Sequence, residues 1–203
     1  MFISTKKNRG CKSSFFFKAL ELNPKDAAAW SILGLVYQRQ GKEREAEEAY
    51  LKAIESDPLF RDWDYIALAD LYKKQKREED ATAILVKATG HYPQNAFVWS
   101  NLGNAYDRQG RDEEAFSCFF KATEVEPKYE YAWHLLGCSY SKQNKNKEAL
   151  RAFLKALELK RDLEQSTWRE LAKVYEKLGL LEKQQEAQEK YLELEEKKFN
   201  SKQ

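Results

Sequence analysis

From Ala96 to Asp107 the apolar and small residues recur three and four apart: Trp99, Leu102, Gly103 and Tyr106 share one face of a 3.6-residue helix. A second stripe, Ala115, Phe119 and Ala122, predicts another helix from about Asp112 to Glu124. Gly110 falls between the two, where a residue without a Cβ ends the first helix freely. Pro127 stops the pattern and helps launch the next.

The same unit recurs along the chain. Trp30, Tyr65, Trp99, Trp133 and Trp168 follow at separations of 35, 34, 34 and 35. Four residues after each stands a small side chain: Gly34, Ala69, Gly103, Gly137 and Ala172. Three further on come Tyr37, Tyr72, Tyr106, Tyr140 and Tyr175. Alanines trail at the same period, and Pro24, Pro58, Pro93 and Pro127 punctuate the units. Several residue types sharing one period mark a solenoid of duplicated helical hairpins. The small residues let two helix backbones approach while the aromatics fill the space around the contact. Helix propensity alone favours Ala over Gly by about 1 kcal/mol, so packing explains Gly103.

This pattern resembles the tetratricopeptide repeat family, from Ala27 to about Tyr191. Trp99-Leu102-Gly103-Tyr106-Ala115-Phe119-Ala122-Pro127 carries it, as do the equivalent sets beginning at Trp30 and Trp133. The unit at Tyr65 is looser, with Ala69 and Leu85 in place of Gly and the aromatic. The resemblance implies an all-α, right-handed superhelix of antiparallel helix pairs. Its expected divisions are 27–61, 62–95, 96–129 and 130–164, then a degenerate fifth unit and capping helix at 165–203. Residues 1–26 form an atypical start in which Phe16, Ala19 and Pro24 match a second helix without its first. Phe15, Phe16 and Phe17 then lack part of their cover, which suggests either a truncation or self-association. In the fifth unit an insertion of about three residues brings Ala187 and Tyr191 into register, on a charged helix from about Leu181 to Lys198 suited to a polar cap.

In the family the first helix of each unit lines a concave surface, and that orientation names the candidates here. They are Arg39, Trp63, Asp70, Lys74, Phe97, Asn101, Asn104, Arg108, Tyr131, His134, Cys138 and Lys142. Asn101 and Asn104 suit an extended peptide, since an amide both donates to and accepts from a backbone. Trp63, Phe97 and Tyr131 occupy equivalent places and offer apolar anchors, or else fill junctions between units. Arg39, Lys74, Arg108, Lys142 and Lys177 recur once per unit and attract a carboxylate, or else form a solvated edge. The Lys, Arg and Asn set of the chaperone-clamp members is not reproduced, and the long Asn ladder of sugar-transferase relatives is reduced to one rung.

The 203 residues suffice for an ordinary core, and a formal charge of +2 argues against a strong nucleic-acid binder. No apolar run approaches the roughly 20 residues that span a bilayer. Three cysteines, Cys11, Cys118 and Cys138, form no disulfide framework and point to the cytoplasm. A phosphate loop, a serine elbow and a metalloprotease pattern are missing, and His134 with Cys138 makes at most a two-ligand metal pair. The expectation is a non-enzymatic scaffold without cofactor, binding a protein or peptide. A homodimer through the amino-terminal half-repeat, or a fragment without a defined partner, are the alternatives.

Overall fold

A computed structural model describes residues 9–159 and 164–200, with side chains from Phe16 onward, so Cys11 and Phe15 lie outside the described side chains. The helices run α1 (Arg9–Leu22), α2 (Ala27–Arg39), α3 (Glu43–Ser56), α4 (Asp62–Lys74), α5 (Glu78–His91), α6 (Ala96–Arg108), α7 (Asp112–Val125), α8 (Glu130–Lys142), α9 (Asn146–Leu159), α10 (Glu164–Lys177) and α11 (Leu181–Asn200). The described residues contain no strand. The architecture is an all-α solenoid of helix pairs, and it divides into two units, Met1–Pro93 and Gln94–Gln203.

Within each pair a short turn is closed in the same way. The first helix ends on a residue with φ near +60 to +70°: Gly41, Lys76, Gly110, Asn144 and Gly179. The next N–H reaches back to the carbonyl of the recurring tyrosine, as in Lys42 to Tyr37 (3.0 Å), Arg77 to Tyr72 (2.9 Å) and Arg111 to Tyr106 (3.0 Å). That is the six-to-one bond that satisfies an orphan carbonyl at a helix end. The cation after the turn then covers the same tyrosine, with Arg77 4.2 Å above Tyr72 and Arg111 4.3 Å above Tyr106. Lys76 holds a left-handed conformation that costs an L-residue roughly 1 kcal/mol or more. Lys76→Gly is therefore expected to stabilise the protein by about 0.5 kcal/mol, after the added flexibility of the unfolded chain is subtracted. Urea denaturation checks the gain.

The prolines work through their carbonyls. Trp30 Nε1 donates to the Pro24 carbonyl and Trp133 Nε1 to that of Pro127, both at 2.9 Å, and Tyr65 Oη donates to Pro58 at 3.2 Å. Each large ring is thus tied to the turn that precedes its helix. Asp26 and Asn95 cap α2 and α6 by accepting backbone N–H groups of the first turn.

In the first unit, Leu20, Ala29, Leu33 and Ala49 form a buried cluster against which Phe16, Ala19, Trp30 and Tyr37 pack. Phe16 is thereby partly covered, whereas Phe17 stays exposed. In the second unit, Ala149, Phe153, Leu171, Val174, Tyr175 and Ala187 join α9, α10 and α11.

The glycines of the first helices sit where the second helix presses an aromatic ring. A Cβ built on Gly103 falls 2.4 Å from Phe119, and one on Gly137 falls 2.7 Å from Phe153. Gly34 meets Tyr50 in the same way at 2.6 Å. In the looser unit both partners change together: Ala69 faces the helix that carries Leu85, and both are fully buried.

Candidate functional site

The first helices of the second unit, α6, α8 and α10, lie side by side, since α6 packs on α8 and α8 on α10. Eight of the twelve candidates belong to this unit, and the other four, Arg39, Trp63, Asp70 and Lys74, belong to the first. The side of this row that carries the candidates is called its inner side.

Several candidates are brought together there. Asn104 Nδ2 donates to the Tyr131 hydroxyl at 3.2 Å, linking α6 to α8. Lys142 bonds Asp107 across the same pair of helices and stands 3.5 Å from Asp112. Lys177 of α10 donates to the Ser141 carbonyl at 3.3 Å. Asn101 spends its amide on its own helix, donating to the Phe97 carbonyl at 2.8 Å. Phe97 is exposed, while Asn101, Asn104, Tyr131, Leu135 and Cys138 are half-buried, so the face mixes amide, phenol and apolar groups within reach of a partner.

His134 sits differently. It is nine-tenths buried, its Nδ1 lies 3.0 Å from the Thr167 hydroxyl of α10, and Cys138 Sγ stands 3.7 Å from Nε2. Its ring packs 5.7 Å from that of Phe153. Both nitrogens are engaged by the chain itself, so His134 joins helices more than it faces solvent. Burial holds its pKa below the ordinary value, with Glu170 opposing that shift. The unfolded chain takes up a proton near pH 6.5 that the folded state resists, so this residue makes stability fall as pH drops through that value. His134→Gln is expected to flatten the loss of stability between pH 7.5 and 5.5, read from urea midpoints at the two pH values.

Burial also raises the Cys138 and Cys118 thiols to about 12, which leaves both protonated and poor nucleophiles at neutral pH. Among the described residues no group of three or more His, Cys, Asp and Glu is placed to hold a metal ion. None of the described helices is long and apolar enough to cross a membrane.

The recurring cations have a local cause as well. Arg39, Lys74, Arg108, Lys142 and Lys177 all occupy the last turn of a first helix, where the helix dipole favours positive charge. The second helices begin with acids, such as Glu78, Glu79 and Asp80 in α5, for the converse reason. In the first unit Trp63 is 50% exposed, and Asp70 pairs with Lys73 on its own helix.

Beyond Lys177, α10 contributes residues that the candidates do not include. Glu170 and Lys173 hold the register of Asn101 and Asn104, two units on, and Glu170 pairs with Lys173 at 3.0 Å and Arg169 at 3.2 Å. Thr167, the partner of His134, was equally unmarked. Carrying the inner register into the fifth unit finds the first two; nothing in the period marks Thr167 as a hydrogen-bond partner.

Comparison with known proteins agrees with the helix pairs. Tetratricopeptide repeat profiles match residues 27–60, 96–129, 130–163 and 166–198. No curated protein matches the chain. Among solved structures, MamA is similar at a TM-score of 0.71 and 23% identity, covering 86% of this chain and 94% of that one. PilF of Pseudomonas aeruginosa gives 0.71 and 25%, covering 84% and 78%. YrrB, described as a TPR protein with an unusual peptide-binding site, gives 0.70 and 21%, covering 88% and 91%.

Proposed function

Because the chain belongs to the tetratricopeptide repeat family, we propose that it is a non-enzymatic scaffold whose second unit holds an extended peptide of a partner protein on the inner side of α6, α8 and α10. The observation that carries this reading is the Asn104–Tyr131 bond beside the Lys142–Asp107 pair. Those bonds fix side chains that remain half-exposed, so a ligand meets groups already ordered and less side-chain freedom is lost on binding. Phe97, Tyr131 and Leu135 supply apolar contact, and Asn101 and Asn104 supply amide oxygens for a peptide N–H. YrrB shares the fold and has a peptide-binding site, and that class of ligand is the one carried over.

A peptide selected from a random library for binding to this protein tests the placement. Asn104→Ala with Arg108→Ala is expected to weaken its binding at least tenfold, with an unchanged circular-dichroism melt. Equal affinity in the double variant contradicts the site.

Self-association through the amino-terminal half-repeat is a second reading, favoured by Phe17 and Leu22, which are 45% and 88% exposed on α1. Phe16 is the wrong residue with which to probe it, because it packs against the Ala29–Leu33 cluster and its loss destabilises the fold. Phe17→Ser separates association from folding, and light scattering reads the outcome.

A further inference from the structure

The last helix carries more than a cap needs. The other described helices have 13 or 14 residues, whereas α11 has 20. One face, with Ala187 fully buried and Tyr191 and Leu194 half-buried, packs into its own unit. Turned away from that face is a second apolar line: Leu181, Leu192 and Phe199, which are 70%, 53% and 65% exposed. At 3.6 residues per turn these three lie within about 20° of one another. Beside them run Glu182, Glu189 and Glu196, seven residues apart, and Glu195, which accepts from the Tyr191 hydroxyl at 3.3 Å, stands in the line itself between Leu192 and Phe199. The helix lysines Lys190 and Lys197 direct their ammonium groups to Glu193, outside that row.

We infer that this seam of α11 docks an amphipathic helix of another protein, about three heptads long, whose apolar stripe is flanked by lysine or arginine at seven-residue spacing. The carboxylate row selects lysine or arginine on the occupant and disfavours a second copy paired antiparallel. Antiparallel pairing of two α11 helices along the seam sets Glu189 against its own counterpart and Glu182 against Glu196, and like charges so placed repel. Gln185 and Gln188 lie in the middle of the seam and suit a register-setting role, as polar seam positions do in paired helices. Gln188 borders α10, where it lines a hollow with Arg169 and Lys173.

The test uses the full chain and a synthetic 21-residue helix with Leu at its a and d positions and Lys at e and g, labelled for fluorescence anisotropy. Binding is expected to fall at least tenfold in Glu182→Gln/Glu189→Gln/Glu196→Gln and also in Leu192→Ser. It is expected to weaken with added salt and to be absent for a probe with Glu in place of Lys. Neutralising Glu43, Glu78 and Glu113 on other helices is the control for general charge and should leave binding intact, as should Asn104→Ala/Arg108→Ala. Overturning results are equal binding by the acidic probe, no loss in the Glu triple variant, or sedimentation showing a dimer of the free protein that Leu192→Ser dissociates. The last assigns the seam to a second copy.

Discussion

Gly103→Leu is expected to destabilise the second unit by about 3 kcal/mol, because even a single carbon there meets the Phe119 ring at 2.4 Å. The ring is 2% exposed and held by Ala115 and Leu136, so it has nowhere to move. Gly103→Ala is milder, since the same clash is partly offset by a helix-propensity gain of about 1 kcal/mol. The sharper form of the prediction is a double-mutant cycle. Ala69 and Leu85 already show, one unit upstream, that a methyl group is tolerated when the opposing residue is Leu. Gly103→Ala with Phe119→Leu should therefore cost less than the sum of the single changes, by about 1 kcal/mol. Urea denaturation of the four proteins measures the coupling. Strict additivity removes the packing explanation of the glycine.

Phe153→Ala is the other large effect, at about 3–5 kcal/mol. Its side chain is fully buried, lies against Gly137 of α8 and His134, and shares a cluster with Leu171, Val174, Tyr175 and Ala187. Removing it opens a cavity touching four consecutive helices, α8 to α11. The cost is a large part of what a small domain has in hand. In a stack stabilised by neighbour contacts the damage stays local. Hydrogen exchange should show amides of α8 to α11 losing protection while those of α2 and α3 keep theirs. Uniform loss along the chain is the result that contradicts nearest-neighbour stabilisation.

The period alone was enough to place the helices. Trp99, Gly103 and Tyr106 announce a first helix, Ala115 and Phe119 its partner, and α6 and α7 run within one residue of those limits. The close approach at Gly103 was legible for the same reason: a glycine in a helix interior demands a cause. The division near Pro93 was not legible, because the repeat passes through Pro93 at the same spacing as elsewhere. The inner face was read in part. Asn104 and Tyr131 are neighbours through a 27-residue separation that no helical period predicts, and their bond depends on how α6 and α8 cross. His134 looked like a contact residue because its register faces inward; its burial follows from Thr167 on the next first helix, which only the packing supplies. Lys142 and Arg108 recur for at least one reason unrelated to a ligand, namely their place at helix ends.

Whether the inner side of the first helices is where a partner lies is decided most directly by photo-crosslinking with the selected peptide. A photoreactive residue placed at Leu135 on α8 is expected to capture the peptide, whereas one at Ser117 on α7 or Arg151 on α9 is not. Capture at Ser117 or Arg151 with none at Leu135 contradicts the account, and so does a library that yields no binding peptide.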